Sequence, residues 1–392
     1  YNQLKINFGN IMTNNNTNTF GTQIRKSPFF KSTLNDGCTG FSVYNHMYIP
    51  RSFGDPVKNY WNLVNEAILC DVSVERQVQI EGPDAAEFVQ LLTPRNISNI
   101  EVGQCKYILI VSEEGGIIND PVLLRVSKDK FWLSIGDSDV LLWAKGVKIN
   151  SKLNVSITEP DVSPLQLQGP KSLVIMKAIF GDWVETIKYY RHKEYLFDGI
   201  PLVISRTGWS SEFGFEIFLQ DSQYGDQLWE KIMGIGRPLG LHPGHTSTIR
   251  RIEGAMLSYV ADMNINNNPF ELGLDRLVDL DMEADFIGKS ALINIKKNGI
   301  KNIFCGFEID GPPLNEPSDE HIDISNNYNK IGFITSSVFS PRLNKNIGLG
   351  YLPVENSKIG YEAKVTIEAL TRKLLVVEKP FYDPKKTIAK GT

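Results

Sequence analysis

The segment CKYILIVSEEGGIINDPVLLRVSKDKF, residues 105–131, carries the clearest architectural signal in the chain. Its apolar runs Lys106–Ser112 and Val122–Val126 are separated by the turn Glu113–Gly116 and the corner Asn119-Asp120-Pro121, and Phe131–Ile135 follows. Runs of strand length joined by tight glycine turns specify an antiparallel sheet. Before this segment, Gln77–Glu81 alternates as a strand, and Gly82-Pro83 turns into a helix over Asp84–Leu92 capped by Asp84. Asp55–Asp71 reads as a helix, with Pro56 in its first turn and Val57, Tyr60, Trp61, Val64 and Ile68 at helical spacing. After it, Ser163–Gln168, Leu202–Arg206 and Phe215–Leu219 read as strands, and Lys171–Phe180, Asp226–Gly234 and His245–Tyr259 as helices. Beyond Pro269 the runs Ile303–Ile309, Lys330–Thr335, Ile347–Tyr351, Ala363–Ile367 and Leu374–Val377 predict an all-β C-terminal domain, with a long mobile loop over Asp310–Asn329. The class is α+β with a β-rich final third.

The composition excludes several functions. At 392 residues the chain holds two to three domains of ordinary size, and 42% hydrophobic residues exclude wholesale disorder. With 41 Lys+Arg against 45 Asp+Glu, no electrostatic drive toward nucleic acid exists. No run has the length of a membrane span, so neither nucleic acid nor membrane is an expected partner. Cys38, Cys70, Cys105 and Cys305 form no C-x-x-C pair, which predicts free thiols in a cytoplasmic protein rather than a disulfide or zinc framework. The tract Thr13–Thr19 reads as a frayed polar arm. Gly234-x-Gly236-x-x-x-Gly240 misses the dinucleotide spacing and contains Pro238; no P-loop or G-x-S-x-G elbow occurs. Pro243 and Gly244 keep His242 and His245 off one helix face, so no metal site is expected. The chemistry must come from a bound organic molecule.

A dozen short segments, in order, resemble the glycine-cleavage T-protein (aminomethyltransferase) superfamily. They are Ser27-Pro-Phe-Phe30, Cys70-Asp-Val-Ser73, Ile80-Glu-Gly-Pro-Asp-Ala85, Gly115-Gly-Ile-Ile-Asn-Asp120, Leu167-Gln-Gly-Pro-Lys171, Ser205-Arg-Thr-Gly208, Phe213-Gly-Phe-Glu216, Arg251-Ile-Glu253, Asn268-Pro-Phe-Glu-Leu-Gly273, Phe286-Ile-Gly-Lys289, Phe339-Ser-Pro341 and Lys379-Pro-Phe-Tyr382. The resemblance implies a three-domain cloverleaf around a central folate channel. A discontinuous first domain would span 1–75 plus 162–270, a second 76–161, and a C-terminal β-barrel-like domain 271–390. Departures narrow it. Asp71-Val-Ser-Val74 lacks the family's histidine, Asn119-Asp120 stands for two aspartates, and Arg206-Thr-Gly-Trp209 ends in Trp rather than Tyr. Residues 35–55 differ from the segment that admits a lipoyl arm, so no lipoyl carrier protein is expected. In that segment the chain resembles the dimethylsulfoniopropionate (DMSP) demethylases, which move a methyl group from a sulfonium to tetrahydrofolate. A glycine-cleavage aminomethyltransferase and a non-catalytic folate-binding factor are the rival readings.

The resemblance implies the site residues. Glu216 would take the pterin, and Asp120, the catalytic candidate, would orient folate and steady the cationic N5. Tyr107, Tyr190, Trp209 and Arg251 would line the folate site, with Trp209 also over the sulfonium. Lys31, Ser32 or Arg51 would meet the donor's carboxylate. Neither metal nor flavin is implied. Oligomeric state stays open, a homodimer included.

Overall fold

The computed structural model describes residues 20–318, 320–326 and 329–392. The predicted arm Thr13–Thr19 lies outside the described residues. Three sheet-bearing bodies build the chain, and the α+β class expected from the sequence is the one found.

The first body is a six-stranded sheet in the order His192–Phe197, Ile200–Ser205, Gly214–Leu219, Ser163–Gln168, Ala67–Asp71 and Leu241–Gly244. All neighbours are antiparallel except the last pair. Its three central strands bury every residue, the polar Gln166, Gln168 and Glu216 included. This corrects the helix expected over Asp55–Asp71. The helix is Pro56–Asn65, started by Asp55, whose carboxylate accepts the Val57 N–H at 2.8 Å. Ala67–Asp71 is a strand wedged between two others, and helical spacing cannot be told from such a short buried run. Likewise only Thr248–Glu253 of the helix expected over His245–Tyr259 forms.

The second body is the five-stranded antiparallel sheet Ser156–Thr158, Gln77–Glu81, Lys130–Ser134, Val122–Ser127 and Cys105–Tyr107. The expected strand Lys106–Ser112 is broken. After Tyr107 the chain leaves this sheet, and Ile110–Val111 pairs instead with Ile117–Asn119. Asp84 precedes the helix Ala85–Leu92, but its carboxylate accepts the Asn154 N–H at 2.7 Å instead of capping that helix. Val140–Ser151 and Lys289–Asn298 are helices that the sequence reading did not include.

Six strands from Asn302 to Val377 close into a barrel. The loop expected over Asp310–Asn329 contributes one of them, Ile322–Asn326. A shared apolar cluster joins the bodies: Tyr60 and Val72 from the first, Leu109 and Ile117 from the second, Phe304 and Leu349 from the barrel. All four cysteines are buried and free.

Candidate active site

The register of the first sheet makes the acidic heart of the site. Glu216 stands opposite Gln166 on one side and Ser205 on the other. Directly opposed side chains on one sheet face meet, and Gln166 Nε2 donates to Glu216 Oε1 at 2.8 Å. The Thr207 hydroxyl, itself bonded to Ser205, donates to the second oxygen. Glu216 is 4% exposed, and burial pushes its carboxyl above the ordinary range.

Asp120 comes from the second body. Asn119 locks its corner: Nδ2 donates to Gly136 O at 3.0 Å and Ser138 Oγ at 2.8 Å, while Oδ1 accepts the Gly136 N–H at 3.0 Å. Behind the corner, a Cβ on Gly116 would sit 1.8 Å from Ile265 O, so only glycine lets the Gly-Gly turn approach that segment. Tyr107 Oη donates to Asp120 Oδ2 at 2.9 Å. Burial pushes Asp120 up to about 7, against this hydrogen bond, and the nearby Asp262 carboxylate adds to the rise. Burial and Asp120 together keep the Tyr107 phenol protonated.

Aromatic rings converge on these acids. A Cβ on Gly136 would lie 3.3 Å from each of Asp120 Oδ1, Tyr44 Oη and Tyr259 Cβ, so these three groups surround one point. The edges of the two sheets meet beside Tyr107: Cys105 N–H donates to Tyr190 O at 2.9 Å and His192 N–H to Gly103 O at 2.8 Å. Tyr190, in the left-handed conformation at φ 58, therefore sits next to the strand that carries Tyr107. Trp209 lies on the loop between two strands of the first sheet. Gln168 holds that loop, donating to Thr207 O and Phe215 O and accepting from Ser210. Trp209 Nε1 donates to Leu257 O at 3.2 Å, two residues before Tyr259.

Four of the expected residues (Asp120, Tyr107, Glu216 and Tyr190) thus fall around one region, while Trp209 is tied to the segment that leads to Tyr259. Arg251 is 2% exposed and engaged inside the protein, donating to Asp262 Oδ2 at 2.9 Å and Ser336 Oγ at 2.7 Å. Its neighbour Arg250 is buried against Glu212 at 2.6 Å. Ser32 donates its hydroxyl to Asp226 Oδ1 at 2.6 Å. Lys31 is exposed, and so is Arg51, whose guanidinium reaches Thr246 Oγ1 at 3.5 Å.

The sequence reading missed Glu75. It follows the strand Ala67–Asp71, receives Ser134 Oγ and Gln166 Nε2 at 3.4 Å each, and burial plus the charges of Glu216 and Asp120 raise its carboxyl well above normal. Its signal was an acid one position after the missing histidine. Tyr44 was also missed, in the segment 35–55 that sets this chain apart. Among the described residues no Lys or Arg side chain stands against Glu75, Asp120 or Glu216 to offset their charge. Nor does any group of three or more His, Cys, Asp and Glu suited to a metal occur among them, and no helix is long and apolar enough to cross a membrane.

The chain matches the model of the GCVT N-terminal domain over residues 29–282 and that of the glycine cleavage T-protein C-terminal barrel domain over 303–383. It is 36% identical over 332 residues to the dimethylsulfoniopropionate demethylase DmdA of Ruegeria pomeroyi, covering 84% of this chain and 89% of that one. It is 32% identical over 341 residues to an aminomethyltransferase of Alkaliphilus metalliredigens, covering 85% and 91%. Its fold superposes on the glycine cleavage system aminomethyltransferase T of Bartonella henselae with a TM-score of 0.83 at 22% identity, over 92% of this chain and 99% of that one. A family match across both the folded body and the barrel, with a relative this similar along most of its length, makes this protein an enzyme of the glycine-cleavage T-protein family.

Proposed function

We propose that the enzyme moves a methyl group from the sulfonium sulfur of dimethylsulfoniopropionate to N5 of tetrahydrofolate, giving 3-(methylthio)propionate and 5-methyltetrahydrofolate. One observation carries the reading: Glu75, Asp120 and Glu216 lie together beside Tyr44, Tyr107 and Tyr259, and among the described residues no Lys or Arg side chain is paired with any of the three. Uncompensated buried carboxylates are costly, and the ligands that relieve them bring positive charge or rows of N–H donors. The 2-amino and N3 groups of a pterin offer such a row, which a carboxylate takes pairwise; Glu216, held from behind by Gln166 and Thr207, fits that task. A sulfonium over the Trp209 indole gains about 0.5–2 kcal/mol. The similarity to a DMSP demethylase favours this donor over other cationic methyl donors.

Bound tetrahydrofolate supplies the amine that receives the methyl group. The protein's part is alignment and charge. The carbon–sulfur electron pair stays on the thioether, which leaves as a neutral molecule, and N5 sheds its proton to solvent only after the carbon–nitrogen bond has formed, so a general base contributes little to the transfer itself. Holding sulfur, carbon and nitrogen in line supplies roughly 7–11 kcal/mol. Asp120, oriented by Tyr107, favours the shift of positive charge toward nitrogen. Arg251 holds the Asp262 carboxylate in place. Arg51 and Lys31, whose charged ends are exposed, are the candidates for the donor's carboxylate; Ser32 is committed to Asp226. The three domains of this reading are 1–75 plus 162–270, 76–161 and 271–390.

The test gives the enzyme tetrahydrofolate with DMSP, glycine betaine or sarcosine and detects 5-methyltetrahydrofolate by mass. Methylated folate is expected with DMSP. Its absence with every donor, or activity only with an aminomethyl-lipoyl carrier, overturns the proposal.

A further inference from the structure

The segment Lys379-Pro-Phe-Tyr382 leads out of the barrel into a stretch to which the reaction above gives no task. Phe381 and Tyr382 N–H both donate to Glu253 O, at 2.9 and 3.1 Å, so the chain crosses to the end of the helix Thr248–Glu253. Asp383 then starts the short helix Thr387–Lys390. Its Oδ1 accepts the Thr387 N–H at 2.9 Å and hydroxyl at 2.7 Å, and its Oδ2 accepts the Ile388 N–H at 2.8 Å. The far end of that helix meets Arg206. This guanidinium, 3% exposed, lies 3.6 Å from the centre of the Phe213 ring and donates to Gly214 O at 2.6 Å, Ala389 O at 3.0 Å and Lys390 O at 3.4 Å. Two of these acceptors belong to the last turn of a helix, whose carbonyls have no partner within it.

Arg206 also stands at the base of the loop that bears on Glu216. Its bond to Gly214 ties the two ends of the loop 206–214 together. Its C=O accepts the Tyr190 N–H at 3.0 Å, its N–H donates to Arg191 O at 2.9 Å, and the next residue, Thr207, donates its hydroxyl to Glu216. A buried guanidinium deprived of the Ala389 and Lys390 carbonyls is too costly to stay buried; it would turn to water and release the loop base. We propose that Arg206 is a positioning residue for the folate site and that Asp383–Lys390 is the strap that seats it. By holding Arg206, the strap keeps the Thr207 hydroxyl on Glu216, and Glu216 turned to receive the pterin's N–H donors. The inference rests on the folate reading above.

The test measures the Kd of the full chain for 5-methyltetrahydrofolate by calorimetry in Arg206→Met, Arg206→Lys and Asp383→Ala, each with and without Thr207→Val. Arg206→Met should weaken binding roughly tenfold to a hundredfold, the worth of a hydrogen bond to a charged group. Arg206→Lys should weaken it less, since an ammonium keeps one carbonyl but not the fork. Asp383, whose side-chain bonds stay within the strap, gives a remote probe: Asp383→Ala should weaken binding by a smaller factor, and it reads the same coupling if Arg206→Met does not fold. On the Thr207→Val background all three should lose most of their effect, a result that a general loss of packing would not give. An unmoved Kd in both Arg206→Met and Asp383→Ala, or equal weakening with and without the Thr207 hydroxyl, overturns the role of Arg206 and its strap. No folate binding by the unaltered enzyme overturns the folate reading instead.

Discussion

Replacing Asp120 by Asn removes one charge while leaving an oxygen that can still accept the Tyr107 hydroxyl, which in the native site lies 2.9 Å away. In the proposed transfer, positive charge is moved rather than created, so only the difference between its two positions counts. If nitrogen lies about 4 Å and sulfur about 8 Å from the carboxylate, Coulomb's law at an effective dielectric of about 20 gives roughly 4 and 2 kcal/mol. The difference, about 2 kcal/mol, is roughly thirtyfold for complete transfer and roughly fivefold for a half-transferred transition state. The effect requires the ionised form, and burial holds Asp120 at about 7. The carboxylate is therefore lost as pH falls through 7, and kcat/KM of the native enzyme should rise through that region and level off above it. In the Asn variant the plateau should drop roughly five- to thirtyfold and the inflection near 7 should vanish. The assay is kcat/KM for methyl transfer from pH 5.5 to 9, with folate binding measured separately. Full turnover above pH 8 in the variant, or an inflection that survives the substitution, would refute the electrostatic role. A loss many orders of magnitude larger would instead point to obligatory proton transfer.

Trp209→Leu should raise KM for a cationic donor by roughly two- to thirtyfold, the exchange of about 0.5–2 kcal/mol of cation–π attraction, while Trp209→Phe should retain part of it; equal effects on a neutral thioether inhibitor would show packing alone. Arg251→Met leaves Asp262 buried without its 2.9 Å partner and should cost about 3–5 kcal/mol of stability. Urea unfolding measures this, and a midpoint within error of the native one would show that the pair contributes nothing to the junction with the barrel.

Local signals found the strands at Gln77–Glu81, Ser163–Gln168 and in the barrel, because each carries its own alternation, apolar run or turn residues. They failed at Ala67–Asp71, where the preceding helix and the buried strand both supply apolar residues at compatible spacings. What separates them is the pair of neighbours, Ser163–Gln168 and Leu241–Gly244, contributed from far along the chain.

By itself the sequence determined the α+β class and the β-rich final third, and its ordered short motifs singled out Asp120 and Glu216 as candidates. Only the tertiary structure decided that Glu75 joins them through Gln166, that Tyr44 and Tyr259 close around Asp120 at Gly136, and that Arg251 is engaged with Asp262. Apolar periodicity and turn residues record how a segment meets its own neighbours. The charge state and partners of a buried side chain depend on groups tens to hundreds of residues away, which no local pattern encodes.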